Sequence, residues 1–267
     1  MVRLRRTVRV SISGDEWSAG GVNGFAGAPA MSGLGRLYEF DVECRGEPDP
    51  RTGYLIDIKE IDRVVRECVG TRVQEWCAGD GVASSEPAAL MPGLVRALAD
   101  DLPGLVRAGW KLTPTYGVEM NAREMNVVVV KQQFDFAAAH RLHVASLSDE
   151  ENRRIFGRCN NPNGHGHNYR LEVAVRLPTG PGAPLLTLSD IERLTHETVI
   201  TRFDHKHLNL DTVEFADLGG VNPSVENIAR VCFMLLAPAI DGASRGGASL
   251  GCITVWETDR TCATYPA

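Results

Sequence analysis

Histidine, the residue best suited to metal and proton chemistry, is concentrated in one part of this chain. Residues 1–139 contain none, and all seven histidines lie between His140 and His207. Histidine is the commonest metal ligand and titrates near neutral pH. Metal or proton chemistry is therefore predicted for the C-terminal half.

His165 and His167 are separated by one residue at the start of an alternating apolar and polar run. In a strand, residues with this spacing point to the same face, so both imidazoles can reach one cation. His140 ends a second alternating segment, which is predicted to be a neighbouring strand. Three histidines without a fourth protein ligand predict an open zinc site, with a position left for water or substrate.

A lone His-x-His pattern also fits polar histidines at the end of a strand. In the first half of the chain, Leu34 and Arg36 occupy the positions that correspond to His165 and His167. Neither residue binds zinc, so the fold itself does not require histidine at these two positions. Gly164 and its neighbour Gly166 are expected to keep the backbone around the ligands uncrowded.

The elements that would position these residues form a weak internal repeat. Each half contains an alternating strand, a turn, two amphipathic helices and a closing strand with one glutamate, Glu119 or Glu257. This order predicts an α+β fold made of two tandem antiparallel-sheet units, each covered by two helices. The predicted domains are residues 1–125 and 126–267.

Local signals predict where the helices begin. Ser189 and Glu192 have the spacing of a capping box at the start of the first helix of the second half. The second helix of that half is predicted to start near Ser224. Its counterpart in the first half is predicted within residues 86–102.

Composition excludes several classes of protein. The 267 residues are 43% hydrophobic, and a net charge of -6 gives no general electrostatic reason to bind nucleic acid. The longest nearly apolar run, residues 231–240, is too short to span a bilayer. We therefore expect no membrane or nucleic-acid partner. The odd number of cysteines, seven, favours reduced thiols in a cytoplasmic protein.

Several segments beyond residue 130 together resemble one family, the 6-pyruvoyltetrahydropterin synthases, which have the tunnelling fold (T-fold). The resemblance is specific over residues 130–267, but over residues 1–125 it is only architectural. The matching segments are FAAAHRL (136–142), FGRCNNPNGHGHNY (156–169), FDHKHLN (203–209), PSVEN (223–227) and WET (256–258).

The resemblance implies a zinc-dependent lyase that acts on 7,8-dihydroneopterin triphosphate. His140, His165 and His167 would hold the zinc ion, which acidifies a C–H bond of the substrate side chain. By motif position, Cys159 would remove the proton, and Asp204 with His205 would relay protons while triphosphate leaves. A cysteine is a base only as its thiolate, so it needs a nearby cation or acid–base partner.

The resemblance also implies the residues that bind substrate. Glu257 would accept two N–H bonds from the amino-pyrimidine edge of the pterin, as a carboxylate does from arginine. Ser224 and Glu226 are the other candidates for pterin binding. The candidates for triphosphate binding are Arg141, Arg158 and Lys206.

Two products are compatible with this resemblance, a 6-pyruvoyl pterin and a 6-carboxy pterin on the way to queuosine. Five residues separate Cys159 from His165, and this spacing resembles that of the pyruvoyl type. Two other interpretations stay open: a metal-dependent hydrolase of another kind, and a non-catalytic zinc-bearing assembly module. A structural zinc site would normally have four protein ligands.

The family's assembly gives a prediction for the oligomer. Its members form trimers whose sheets close a barrel, so a duplicated chain predicts a homo-oligomer, a trimer of two-domain chains or a multiple of it. The first half lacks the motif residues and is interpreted as structural, with no metal site. Active sites between subunits would let His205 serve a zinc site on another chain.

Overall fold

The computed structural model divides into two units, and each of them combines an antiparallel sheet with helices. Unit 1 comprises Met1–Val130 with Leu177–Ala183, and unit 2 comprises Lys131–Arg176 with Pro184–Ala267. The predicted α+β class is confirmed. The structure describes residues 1–12, 21–25, 27–28, 30–31, 34–78, 86–180, 186–216 and 219–267.

The sheet of unit 1 has four strands in the order β1-β2-β3-β4, and all neighbours are antiparallel. One face is apolar and buried, whereas charged side chains such as Arg9 and Glu39 pair across the other face. This separation is the one that alternating residues predict. The strands are β1 (Val2–Ile12), β2 (Arg36–Gly46), β3 (Leu105–Lys111) and β4 (Tyr116–Asn121).

Two of the three helices of unit 1, the first and the last, contact its sheet. Asp57 starts the first of them, because its side chain accepts a hydrogen bond from the Lys59 backbone N–H. A π-helical turn, Arg66–Gly70, joins the first two helices. The helices are α1 (Ile58–Val65), α2 (Thr71–Ala78) and α3 (Pro87–Asp101), and the last lies where the sequence predicts it.

The sheet of unit 2 has the order β5-β6-β8-β9, and the two-residue strand β7 runs parallel to β5. The pairings of β6 with β8 and of β8 with β9 are antiparallel. The strands are β5 (Val127–His140), β6 (His165–Pro178), β7 (Lys206–His207), β8 (Ser249–Thr258) and β9 (Thr261–Tyr265).

The longest helix of unit 2 packs on β8 and β9, and it starts after Ser224 as predicted. A 3₁₀ turn, Gly157–Asn160, follows the first helix, and a π-helical turn, His196–Ile200, follows the second. The helices are α4 (Asp149–Phe156), α5 (Leu188–Thr195), α6 (Thr201–Phe203), α7 (Leu208–Asp211) and α8 (Val225–Ser244).

The predicted cap of α5 is wrong by two residues. Thr187, not Ser189, is the N-cap, and its side chain accepts a hydrogen bond from the Asp190 backbone N–H at 3.1 Å. Asp190 accepts the Thr187 backbone N–H at 3.1 Å in return, so Glu192 has no part in the capping box. The capping-box spacing occurs twice in this run, and spacing alone could not choose between the two starts.

The two units repeat several details beyond the order of their elements. In each unit an eight-residue helix leads into a five-residue π-helical turn. Each sheet also has a β-bulge at a corresponding place, between Glu43 and Cys44 in unit 1 and between Ala174 and Val175 in unit 2. Counted back from these bulges, Arg36 takes the place of His167, as the sequence repeat predicts.

The same register shows that Glu119 does not correspond to Glu257. When the two sheets are aligned on their bulges, the pair Glu39–Lys111 of unit 1 corresponds to the pair Arg170–Trp256 of unit 2. The residue after Lys111, Leu112, therefore corresponds to the residue after Trp256, which is Glu257. Glu119 lies on β4, the counterpart of β9, and it forms an ion pair with Arg107. Sequence reasoning matched two glutamates by their order in the chain and missed the intervening hairpin.

Two expectations from composition concern the cysteines and the membrane. All seven cysteines are free thiols in the structure. Among the described residues, no helix has both the length and the apolar character needed to cross a bilayer.

Candidate metal centre and active site

His140, His165 and His167 converge at one point in unit 2. One nitrogen from each ring lies within 4.8 Å of those from the other two. The ring centroids are separated by 4.6 Å for His140 and His165, 5.2 Å for His140 and His167, and 4.8 Å for His165 and His167. The predicted convergence of the three histidines is therefore present in the structure.

The buried ring of His140 has a fixed orientation at the end of β5. Its Nδ1 lies 2.7 Å from the Pro223 backbone oxygen, to which it can only donate a proton. This bond leaves Nε2 as the nitrogen with a free lone pair, facing the cluster. Burial lowers the pKa of His140 to about 4, so the ring is neutral at pH 7, as metal binding requires.

The Nε2 atoms that face the centre of the cluster are not hydrogen-bonded in the way that buried structural histidines normally are. The Nε2 atoms of His140 and His165 lie 3.2 Å apart, and Nε2 of His167 is buried with no hydrogen-bond partner among the described residues. Buried polar atoms normally have partners, because leaving one unpaired costs free energy. A divalent cation would satisfy these nitrogens together, so the three residues fit a metal ion.

Gly164 allows the loop before β6 to pass close to the cluster. Its φ is +69°, and a Cβ at this position would lie 2.6 Å from His207 Nε2 and 2.9 Å from the His140 backbone oxygen. Glycine is therefore required here for both conformation and space. Gly166 is different: a Cβ there would lie an ordinary 3.6 Å from the Ala138 oxygen, so the expected crowding applies only to Gly164.

Two buried asparagines, which sequence reasoning left without a role, hold the chain just after His140. Asn209 accepts the Arg141 backbone N–H at 2.8 Å and donates to the Arg141 oxygen at 3.1 Å. Asn160 donates to the Leu142 oxygen at 2.8 Å. Side-chain amides thus replace a neighbouring strand where the sheet ends. Both asparagines lie within the sequence motifs listed above, which indicated that they matter. The backbone groups that they bind could not be predicted from residue spacing.

His207 is a further residue to which the sequence assigned no role. It lies in β7, beside Ala139 of β5, and its Nδ1 is buried without a partner among the described residues. His207 lies close enough to the cluster for a positive charge on its ring to lower the pKa of His140. The parallel pairing of a two-residue strand brings it there, and no periodic pattern predicts such a pairing.

Cys159 lies in the 3₁₀ turn after α4 and is half-buried. Burial raises the pKa of its thiol, and the charge of Glu257 acts in the same direction. Both effects oppose formation of the thiolate. The predicted role as a base therefore needs a positive charge beyond those that the protein side chains provide here.

Asp204 and His205 form the predicted pair at the end of α6. Asp204 Oδ2 lies 2.9 Å from His205 Nδ1, and its Oδ1 accepts the Ala137 backbone N–H at 2.8 Å. The bond from Ala137 lowers the pKa of Asp204, and His205 adds to this effect. His205 has a φ of +56°, a strained value for a residue with a Cβ, and its side chain is 83% exposed.

The candidates for substrate binding differ in their surroundings. Glu257, near the end of β8, has its Oε1 3.5 Å from His140 Nε2 and 3.7 Å from His167 Nε2. Ser224 caps α8, where its hydroxyl accepts the Asn227 backbone N–H at 3.4 Å. Glu226 is exposed in the first turn of α8.

Two cavities lie beside the cluster. One of about 660 Å³ is lined by His165 and by three arginines, Arg141, Arg153 and Arg158. The other, of about 480 Å³, is lined by His167, His205, Lys206 and His207, together with residues 137–139 of β5. The predicted cations Arg141 and Arg158 thus face the first cavity, Lys206 faces the second, and Arg153 was missed.

Three imidazoles that converge at the ends of sheet strands form a candidate metal site in a protein of the α+β class. A family model described as 6-pyruvoyl tetrahydropterin synthase matches residues 129–267. The 6-pyruvoyl tetrahydrobiopterin synthase of Poecilia reticulata is 40% identical over 132 residues, which are 49% of this chain and 84% of that protein. The human protein of the same name is 43% identical over 101 residues, 38% of this chain and 68% of its own.

The solved structure of the Caenorhabditis elegans 6-pyruvoyl tetrahydropterin synthase is also similar. It is 32% identical, with a TM-score of 0.47, and the match covers 53% of this chain and 96% of that one. By the extent of the family match, the chain belongs to the 6-pyruvoyl tetrahydropterin synthase family. Residues 129–267 therefore have the T-fold of this family, whose enzymes are metal-dependent lyases.

Proposed function

We propose that unit 2 is a zinc-dependent lyase that converts 7,8-dihydroneopterin triphosphate to 6-pyruvoyltetrahydropterin with release of triphosphate. The observation that carries this proposal is the convergence of three imidazoles, His140, His165 and His167, without a closing cysteine. Such a ligand set leaves a coordination position for substrate, whereas a structural zinc site is closed by four protein ligands.

The bound zinc ion would supply a positive charge that polarises the side-chain oxygens of the substrate and acidifies the neighbouring C–H bond. The three imidazoles are neutral ligands, so they would leave that charge uncompensated. This charge would act against the burial and the Glu257 carboxylate, which together raise the pKa of Cys159. Cys159 would then be the base that takes the proton from carbon.

Asp204 would hold His205 in the tautomer that carries its proton on Nδ1, leaving Nε2 to exchange protons with the substrate. The imidazole of His205 is well exposed, and neither of the two cavities beside the cluster is lined by both Cys159 and His205. This exposure supports the proposal that His205 acts in a site completed by a second copy of the chain.

Glu257 would accept the N–H groups of the amino-pyrimidine edge of the pterin. Its carboxylate is half-buried near the imidazoles, so a ligand that replaced these contacts would bring two charge-assisted hydrogen bonds. Ser224 and Glu226, at the start of α8, would add contacts to the pterin, although the Ser224 hydroxyl also caps the helix.

The cavity beside His165 is suited to the triphosphate. Arg141, Arg153 and Arg158 bring three positive charges to it, opposed by one carboxylate, Asp149. Arginine binds phosphate oxygens through parallel N–H bonds. We therefore assign triphosphate binding to this cavity rather than to Lys206.

Unit 1 would be a duplicated T-fold half that has lost the metal site. The matching bulges and π-helical turns support a common origin, and Leu34 and Arg36 stand where unit 2 has ligands. β9 is an edge strand with N–H and C=O groups available for pairing, whereas on the outer edge of β1 the Arg9 N–H, the Arg9 oxygen and the Thr7 oxygen are already bonded to Asn23 and Ala28. The free edge supports a homo-oligomer, such as a trimer of two-unit chains, and the free cysteines fit a cytoplasmic location.

The decisive experiment incubates the zinc-loaded chain with 7,8-dihydroneopterin triphosphate and identifies the products by mass spectrometry. Tripolyphosphate together with 6-pyruvoyltetrahydropterin is expected. A 6-carboxy product would instead identify the activity of the queuosine pathway, and no turnover would contradict the lyase proposal.

Variants test the assigned base. Cys159→Ala should lower turnover at least about a hundredfold, since general base catalysis contributes on this scale. Cys262→Ala is the matched control, because Cys262 is exposed on β9 and should be dispensable. Full turnover in Cys159→Ala would show that another group removes the proton.

A further inference from the structure

Arg66 of unit 1 is a buried cation with unpaired donors. It opens the π-helical turn after α1 and is only 2% exposed. Its Nη1 donates to the Gly21 backbone oxygen at 2.9 Å, but Nε and Nη2 have no hydrogen-bond partner among the described residues. A buried guanidinium with two unused donors is costly, so it requires an explanation.

Asp62, the carboxylate whose charge acts on Arg66, is already engaged. Both oxygens of Asp62 accept hydrogen bonds from Arg6, at 2.8 Å from Nε and 2.8 Å from Nη2. Asp62 therefore accepts hydrogen bonds from both Nε and Nη2 of Arg6, and it does not bind the corresponding two nitrogens of Arg66. The pKa of Arg66 is lowered, chiefly by burial; the charge of Asp62 acts against this effect, and the charge of Arg6 adds to it.

Arg66 lines a cavity of about 540 Å³, which is large enough for a small molecule. Four basic and two acidic side chains line this cavity, so its charge is positive. Arg63, one of the basic residues, is held by Glu60 and Glu67, whereas Lys59 lies at the rim and is exposed.

The fold does not require this arginine. The helix and π-helical turn of unit 1 correspond to those of unit 2, where the exposed His196 takes the place of Arg66. The buried charge is thus a local feature of unit 1 and not a property of the architecture.

We propose that this cavity binds a small oxyanion, the carboxylate or phosphate group of a metabolite, through the Nε and Nη2 donors of Arg66. Two parallel N–H groups match two oxygens of either group. Binding would satisfy both unused donors and offset the buried charge. Unit 1 would then be a ligand-binding unit and not only a structural one. This inference is independent of the activity proposed for unit 2.

Calorimetric titration of the full chain with inorganic phosphate and, separately, with acetate tests the proposal, at constant ionic strength set by sodium chloride. Three proteins are compared: wild type, Arg66→Met, and the control Arg96→Gln, which removes an exposed charge from α3. Methionine keeps much of the volume and removes the buried charge, so Arg66→Met is expected to fold. Thermal unfolding of each protein verifies this.

Saturable binding of phosphate or acetate is expected in wild type and in Arg96→Gln, with at least about a tenfold loss of affinity in Arg66→Met. The probe that binds more tightly identifies the anion class. Phosphate can also bind in the arginine-lined cavity of unit 2, and that binding would remain in Arg66→Met. Only the phosphate binding that wild type shows and Arg66→Met lacks is therefore assigned to the Arg66 cavity. No anion binding beyond that of chloride, or unchanged binding in Arg66→Met, would overturn the proposal. Should Arg66→Met fail to fold, Arg66→Lys replaces it, since lysine keeps the charge but lacks the paired donors.

Discussion

Substitution of Gly164 by alanine tests whether the loop before β6 sets the geometry of the metal centre. The added Cβ would lie 2.6 Å from His207 Nε2 and 2.9 Å from the His140 backbone oxygen, and the residue has a φ of +69°. The His207 ring could turn aside, but the backbone of His140 belongs to a paired strand. Either the loop or the ligand His140 must therefore move.

The magnitude follows from three contributions. A left-handed conformation costs a residue with a Cβ roughly 1–2 kcal/mol, and a forced shift of packed backbone costs roughly 1–3 kcal/mol. Alanine recovers roughly 0.4–1 kcal/mol by restricting the unfolded chain. A net loss of about 2–4 kcal/mol of unfolding free energy is expected, together with weaker metal binding.

Two other glycines separate these contributions. Gly53 has a φ of +73°, and nothing lies within 4 Å of the position that an added methyl group would take, so Gly53→Ala measures conformational strain less the gain from the unfolded chain, about 1 kcal/mol, without the steric contribution. Gly166→Ala, in the same motif as Gly164, should change stability by less than about 0.5 kcal/mol. Urea unfolding of the metal-free proteins and zinc competition with a chromophoric chelator give both quantities. Equal stability and equal zinc affinity in Gly164→Ala and Gly166→Ala would refute the reasoning.

Three further predictions concern the elements around the site. Thr187→Ala should lower the unfolding free energy by about 1 kcal/mol and Ser189→Ala by less than about 0.5 kcal/mol in urea titrations, because Thr187 is the cap. Because Asp204 has a lowered pKa in the folded state, its charge stabilises the protein fully above the unfolded pKa; the stability difference between wild type and Asp204→Asn should begin to shrink as the pH falls below about 4 and be lost only below the lowered folded pKa. Asn209→Ala leaves both backbone groups of Arg141 without their partner and should cost about 2 kcal/mol, with weaker zinc binding in the same chelator assay.

The strands and the convergence of the three histidines were predictable from sequence because both depend on local periodicity. Alternation predicted β6, and the spacing of His165 and His167 put both rings on one face of it. The start of α5 was not predictable, since Thr187 and Ser189 both satisfy the capping pattern. Only the three-dimensional fold decides which start buries the apolar residues well.

Features that join distant segments could not be predicted in this way. The position of His207 depends on the short parallel pairing of β7 with β5. The role of Gly164 depends on the same contact, because His207 is one of the two groups that a Cβ would strike. The match of Glu119 with Glu257 failed for a related reason, since correspondence between strands is set by register and not by order in the chain.

The two units locate their sites by the same physical criterion. In unit 2, His167 has a buried nitrogen without a hydrogen-bond partner in the part of the chain that the structure describes, and unit 1 builds the corresponding strand with Arg36. In unit 1, Arg66 has two buried nitrogens without a hydrogen-bond partner within the described ranges, and unit 2 builds the corresponding turn with the exposed His196. Each unit thus shows that the other's buried nitrogen is not needed for folding. Since such atoms cost free energy unless something binds them, a metal ion at the first and an oxyanion at the second account for their burial.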